Sequence, residues 1–88
     1  MNTKLHENLK GLGYHLRLKF NLPPNRPTPD EVLAIVRAIN RLPENQRTEY
    51  AWQEVVRQIV KFDGMYLTEG LDNSDLNFLL DQILELLK

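Results

Sequence analysis

The sequence contains no cysteine. Disulfide cross-links, thiol nucleophiles and cysteine-ligated zinc or iron–sulfur centres are therefore excluded. The sequence also lacks an apolar run near 18 residues, the length at which a helix crosses a bilayer. No signal-peptide pattern follows Met1, so the sequence predicts a soluble, cytoplasmic protein with no membrane partner.

Residues that carry catalysis or hold metals are scarce. His6 and His15 are the only histidines, and neither lies beside a carboxylate at a metal-binding spacing. The one serine, Ser74, stands among helix-capping residues, where capping is its ordinary role. Gly11 and Gly13 lack the preceding strand and the third glycine of a phosphate-binding loop. The C-terminal aspartates lack the spacing of a calcium loop, so we predict no enzyme activity, no cofactor and no metal site.

The remaining composition is that of one small globular domain. Its 88 residues are 42% hydrophobic and 26% charged, and its sixteen leucines against four glycines favour helix. We predict an all-α fold over residues 1–88, as a small four-helix bundle or an irregular helical cluster. A basic N-terminal segment, 1–22, and a proline-rich linker, 22–28, precede a helical core over 29–88.

The clearest helix follows the linker. Thr28 and Glu31 have the spacing of a capping box, and Pro29 stands at the first helical position, where its missing N–H is harmless. Apolar residues then recur at helical spacing until Pro43. The pattern predicts a helix over 29–41.

Two further helices are predicted from the same signals. One covers 44–62, opens at Pro43 and ends at Asp63 and Gly64, with the glycine as a left-handed cap. The other covers 74–87, where leucines line one face. We expect the apolar faces of the three helices to form the core, including Val36, Ile39, Trp52, Ile59, Leu80 and Ile83.

The first segment fits two structures. Its large apolar residues step by three or four, as on one face of a helix: Leu5, Leu9, Leu12, Leu16 and Phe20. Residues 14–22, however, alternate apolar and polar side chains as a strand does. Only the short stretch 65–68 offers a partner for such a strand, so we favour the helix.

Charge is distributed unevenly along the chain. Residues 1–26 carry +4 and residues 63–88 carry −5, for a net charge of −1. On a helical first segment, His6, Lys10 and Arg17 project within about 40° of one another and form a basic ridge. Two interpretations stay open. Either the basic first helix packs beside the acidic last one, or the ridge binds an acidic partner or nucleic acid.

Six residues are candidates for partner binding. Four are basic side chains of the first segment: His6, Lys10, Arg17 and Lys19. Tyr50 and Phe78 are the other two, because they point away from the apolar faces of their helices and aromatics are enriched at interface hot spots. Tyr14 and Leu18 also fall outside the apolar stripe of a helical first segment, but scattered surface apolars are ordinary.

One short stretch is similar to a known family. Arg41–Arg47 resembles the seven residues that open the promoter-reading domain of bacterial sigma factors. No helix-turn-helix pattern follows, since residues 71–88 are too acidic for a recognition helix. The helix-opening chemistry of Pro43 accounts for the similarity, and the chain is assigned to no family.

The leading hypothesis is a non-enzymatic protein-interaction module: a small regulatory adaptor, an inhibitor or an assembly subunit. Its partner is expected to be an acidic protein or a second copy, since complementary ends would let copies dock head to tail into a ring or filament. The alternative is a nucleic-acid-associated accessory subunit that uses the basic N-terminal segment. Net acidity and the lack of a binding motif make this alternative weaker.

Overall fold

The computed structural model describes residues 3–62, 64 and 74–87 and contains four α-helices and one 3₁₀ turn. In chain order these are α1 (Thr3–Phe20), α2 (Pro29–Asn40), the 3₁₀ turn Glu44–Gln46, α3 (Glu49–Val60) and α4 (Ser74–Leu87). The described residues include no strand, and the all-α prediction is confirmed. None of the helices within these ranges is long and apolar enough to cross a bilayer.

The first segment is helical through Phe20, so the strand alternative for residues 14–22 is wrong. Its apolar side chains share one buried face: Leu9, Leu12, Leu16 and Phe20. Gly13 lies where α1 meets α2, and a Cβ atom there would stand 3.1 Å from the side chain of Val32. The missing side chain therefore lets the two helices approach closely, which offsets the cost of about 1 kcal/mol for a glycine inside a helix.

α2 begins with the predicted capping box. The hydroxyl of Thr28 accepts the N–H of Glu31 at 3.2 Å, and the Glu31 carboxylate accepts the N–H of Thr28 at 2.9 Å. Two N–H groups that lack partners inside the helix are thereby satisfied. The helix ends at Asn40 with Arg41 as its C-cap, one residue before the predicted end.

The predicted helix over 44–62 starts too early. Pro43 is followed only by the 3₁₀ turn, and Arg47 leaves helical geometry with φ −87° and ψ 57°. Thr48 then caps α3, because its hydroxyl accepts the N–H of Ala51 at 3.3 Å. A threonine cap satisfies an N–H group that proline leaves unpaired, so the α-helix starts there.

The predicted glycine cap of this helix is also wrong. α3 ends at Val60, and Lys61 takes the left-handed conformation at φ 59° that we had assigned to Gly64. The early reversal of the chain brings Phe62 onto the core. Asp63 and residues 65–73, which include the expected strand partner, lie outside the described residues.

The helices share one core. α1 packs against α2 and α4, and α2 packs against α3. The indole N–H of Trp52 donates to the side-chain oxygen of Asn77 at 3.0 Å and joins α3 to α4. Five predicted core residues are fully buried: Val36, Ile39, Trp52, Leu80 and Ile83. Ile59 is only partly buried, because α3 is rotated by about 40° and buries Val56 and Val60 instead.

The difference between Ile59 and Leu80 gives a stability prediction. Leu80→Ala removes a fully buried side chain and should lower the free energy of unfolding by about 2–5 kcal/mol. Ile59→Ala should lower it by less, because water already reaches part of the side chain. Urea denaturation of both variants measures this. Equal losses would contradict the rotation of α3.

The capping box gives a second stability prediction. Thr28→Ala should lower the free energy of unfolding by about 0.5–2 kcal/mol, since the N–H of Glu31 loses its acceptor. Thr28→Ser keeps the hydroxyl and serves as the matched control. Denaturation midpoints of the two variants check the prediction, which fails if the alanine variant is as stable as the serine variant.

Candidate functional site

α1 presents a strip of residues to solvent, opposite its buried face. We call Glu7, Gly11, Tyr14 and Leu18 the outer strip. Tyr14 is 52% exposed and Leu18 is 53% exposed, which is unusual for two large apolar side chains on one face of a helix. No atom lies within 4 Å of the place that a Cβ of Gly11 would occupy, so the strip is flat and open there.

A groove of about 350 Å³ lies beside the outer strip, between α1 and the linker that leads into α2. We call it the basic groove. One wall is formed by Lys10, Tyr14 and Arg17 of α1. The other wall and the inner lining are mostly prolines and buried apolar residues: Pro24, Pro27, Pro29, Leu9 and Val32.

Tyr14 is held at the rim of this groove by its neighbours. The guanidinium carbon of Arg17 lies 5.1 Å from the centre of the Tyr14 ring, within cation–π range. The ring of His15 meets Tyr14 edge to face with centroids 6.1 Å apart. Arg17 also donates to the carbonyl of Pro24 at 2.9 Å. The same arginine therefore orients the aromatic ring and joins α1 to the linker.

Arg26 lines the groove too, but its guanidinium is engaged inside the fold. It forms a bidentate ion pair with Glu31 and donates to the carbonyl of Val60 at 2.8 Å. The hydrogen bond from Arg26 is the main reason that the pKa of Glu31 lies below its usual value. The positive charge that the groove presents to a ligand therefore comes from Lys10 and Arg17.

Only part of the predicted basic ridge faces the groove. Lys10 is exposed, Arg17 is half-buried, and both line the groove. His6 is half-buried one turn before Lys10 and does not line it. The structure thus brings Lys10 and Arg17 together with Tyr14 and leaves His6 outside.

Lys19 does not join this surface, and its placement among exposed partner-binding residues is corrected. The side chain is 2% exposed, and its ammonium donates to Asp75 at 2.8 Å. Lys19 projects about 160° away from Arg17 around the helix and faces α4. His15 Nδ1 lies 3.3 Å from the other oxygen of the same carboxylate. The basic first helix therefore packs beside the acidic last one, as one of the two open interpretations held.

The environment of Asp75 keeps it ionised. Burial alone would raise the pKa of Asp75. The hydrogen bond and charge of Lys19, the N–H of Leu76 and the charge of His15 together outweigh burial, so the pKa lies below its usual value. Asp75 therefore accepts from Lys19 as a carboxylate at neutral pH.

Phe78 lies in a second groove, of about 480 Å³, between α1 and α4. Its side chain is 62% exposed. Lys4 and Asn8 of α1 line one side, and Asp81 and Glu85 follow Phe78 along α4. We call Phe78, Asp81 and Glu85 the acidic edge. It lies on the opposite side of α1 from the basic groove.

Tyr50 stands apart from both grooves. It is 70% exposed at the start of α3 and lines a separate depression with Glu44, Glu49 and Asn77. The structure therefore does not unite Tyr50 with the basic residues of α1. Within the described ranges, no cluster of histidine, aspartate and glutamate side chains has the geometry to hold a metal ion.

Tyr14 and Leu18 were placed outside the apolar stripe but were not predicted to bind a partner, and the pairing of Asp75 with Lys19 was not predicted. Both Tyr14 and Leu18 project about 160° from the centre of the apolar stripe of α1, a signal that was visible once the segment was taken as helical. Lys19 lies about 20° from Leu12 at the margin of that stripe, which pointed to a buried partner. The pairing with Asp75 depends on how α1 packs on α4, and the sequence carries no local sign of it.

The ion pair gives a prediction for stability and pH. Asp75→Asn leaves the buried ammonium of Lys19 without its carboxylate and should lower the free energy of unfolding by about 1–3 kcal/mol at neutral pH. Because the folded pKa of Asp75 lies below its unfolded value near about 4, the wild type should lose this stabilisation as the pH falls through the folded pKa. The variant should lack that part of the acid dependence.

Lys19→Met is the matched control, since it removes the buried charge and leaves Asp75 with access to water. We expect it to be less destabilising than Asp75→Asn. Thermal denaturation between about pH 7 and about pH 2 measures both effects. Equal losses in the two variants, or an unchanged acid dependence in Asp75→Asn, would contradict the role of the pair.

Comparisons with known protein families, curated proteins and solved structures find no match for this chain. Its function is therefore inferred from the surface described above.

Proposed function

We propose that this chain is a non-enzymatic protein-interaction module, an adaptor, inhibitor or assembly subunit, whose basic groove binds an acidic segment of a partner protein. The observation that carries the proposal is the alignment of Lys10, Arg17 and the exposed ring of Tyr14 along one groove. We also propose the cytoplasm as its location.

The groove combines the features by which proteins bind extended or helical segments. Tyr14 offers a rigid apolar face with a polar tip, and Arg17 limits its motion, so little side-chain entropy is lost on binding. The prolines on the opposite wall have restricted backbones, so this wall also loses little conformational entropy on binding. An apolar ligand side chain meets Tyr14, Pro24 and Pro29, and an acidic one meets the two cations.

The nucleic-acid alternative has less support from the same side chains. Lys19 is buried against Asp75, and Arg26 is engaged by Glu31, so neither is presented to phosphates. Proteins that bind DNA neutralise several phosphates at once, whereas the groove presents only Lys10 and Arg17. The test must therefore distinguish binding of nucleic acid from binding of an acidic protein segment.

The test is a fluorescence-anisotropy titration of a labelled oligoglutamate peptide and a labelled mixed-sequence DNA duplex. We expect the peptide to bind more tightly than the duplex. Lys10→Glu/Arg17→Glu should weaken peptide binding about 5–30-fold, since reversing one exposed and one half-buried charge is worth about 1–2 kcal/mol.

Arg37→Glu/Arg41→Glu is the matched control. It changes the net charge by the same amount at the far end of α2, where both side chains are exposed. The control pair should bind the peptide nearly as the wild type does. An equal loss in both pairs would mean that only net charge matters, and tighter, steeply salt-dependent binding of the duplex would favour the nucleic-acid alternative.

A further inference from the structure

We propose that two copies of this chain form a closed dimer in which the acidic edge of each copy enters the basic groove of the other. The acidic edge is exposed along α4, and Phe78 gives it an aromatic anchor. The inference rests on the proposed function because it uses the same groove. It names the acidic occupant as α4 of a second copy.

α4 runs antiparallel to α1. Lys19, near the end of α1, meets Asp75 in the first turn of α4. Lys4 and Asn8, near the start of α1, line a groove with residues 78–86 farther along α4. These two placements establish the direction of the helix pair, and the contact between Lys19 and Asp75 sets its register.

This register sets the height of each side chain along α1. A helix rises about 1.5 Å per residue, so counting from the contact between Lys19 and Asp75 places Phe78 at the height of Leu16, between Tyr14 and Leu18 of the outer strip. The same count places Asp81 at the height of Gly13, between Lys10 and Arg17. The anchor thus stands about 3 Å in height from Tyr14, and the first carboxylate of the acidic edge stands between the heights of the two cations of the basic groove, across the width of α1.

The positions of the two grooves select one symmetry. Each groove lies about a quarter turn from the outer strip, on opposite sides of α1. In a dimer with a two-fold axis parallel to α1, the two outer strips pack against each other. The basic groove of one copy then lies on the same side as the acidic edge of the other, and each residue keeps its height along the axis. Each acidic edge then faces the basic groove of the other copy. An axis perpendicular to α1 in the interface would set like charges against each other, so charge favours the parallel dimer.

The dimer covers the exposed apolar side chains of this face: Tyr14, Leu18 and Phe78. Gly11 lets the two α1 helices approach, because the space of its missing side chain is open. Asp81 of one copy lies beside Lys10 of the other, about 4.5 Å from it in height along the helix axis. Such an isologous contact closes at two copies, in contrast to the ring or filament expected from charge alone.

Sedimentation velocity of the full chain tests closure. From about 10 µM to about 1 mM at low salt, the apparent mass should rise from the 10.3 kDa of one chain to a plateau at twice that value. High salt should shift the chain back to monomer. Growth beyond two copies would overturn the closed dimer, and a monomer at every concentration would overturn self-association.

Charge exchange tests the contact itself. Lys10→Glu and Asp81→Lys each set like charges opposite one another and should weaken dimerisation at least about tenfold. An equimolar mixture of the two variants restores opposite charges at both contacts and should dimerise like the wild type. Lys10 and Asp81 are exposed, so both variants should fold, and circular dichroism checks this. A mixture that dimerises no better than its components would overturn the assignment.

Single cysteines test the parallel direction, because the chain has no cysteine of its own. In the parallel dimer, equivalent residues of the two outer strips meet. Glu7→Cys should therefore oxidise to a homodimer, and so should Leu18→Cys, while a mixture of the two should give little heterodimer. Predominant heterodimer would indicate antiparallel helices and contradict the two-fold axis along α1.

Binding of the oligoglutamate peptide, measured together with the mass of the chain, distinguishes the closed dimer from the proposed binding of a foreign acidic segment. If the peptide binds and shifts the dimer towards monomer, both stand. If the peptide binds a chain that is monomeric throughout, the dimer is wrong and the groove function stands. If the chain dimerises as described while the peptide does not bind, the groove serves self-association and the proposed binding of a foreign acidic segment is wrong.

Discussion

The ion pair between the buried ammonium of Lys19 and the partly exposed carboxylate of Asp75 is the interaction on which the exposed surface of this protein depends. Lys19 is the one charged side chain buried among the described residues, and an unpaired ammonium there would be strongly unfavourable. α1 therefore has to turn Lys19 towards α4. That rotation places Tyr14 and Leu18 in solvent and directs Lys10 and Arg17 to the linker side.

A second group of polar contacts shapes the other wall of the basic groove. Arg26 joins the linker to the start of α2 through Glu31 and to the end of α3 through the carbonyl of Val60. Glu31 also completes the capping box with Thr28. One carboxylate thus connects helix capping to the path of the prolines, and the groove follows from local chemistry at the start of α2.

The elements that the sequence predicted best are those with local causes. α2 was predicted to within one residue because its cap, first-turn proline and apolar period agree with one another. α3 was placed wrongly at both ends because two capping signals, Pro43 and Thr48, compete within a few residues and because Lys61 takes a conformation that glycine usually takes. The side-chain cap of Thr48 decided the start of α3, and the left-handed conformation of Lys61 decided its end.

The candidate site also has parts that were predicted from local spacing and parts that depend on distant contacts. Helical spacing places Lys10 and Arg17 on the same side of α1, as predicted. Lys19 was misplaced because its partner lies 56 residues away along the chain. The groove was invisible in the sequence, since it exists only where the linker folds back against α1.

The most direct test of the account is the solvent exposure of α1 side chains in solution. A soluble gadolinium chelate broadens NMR signals of exposed groups and spares buried ones. In dilute protein, the signals of Tyr14, Leu18 and Phe78 should broaden strongly while those of Lys19 and Trp52 persist, and in concentrated protein the first three should become protected. Broadening of Lys19 together with protection of Tyr14 in dilute protein would show that α1 is rotated otherwise and would contradict the account.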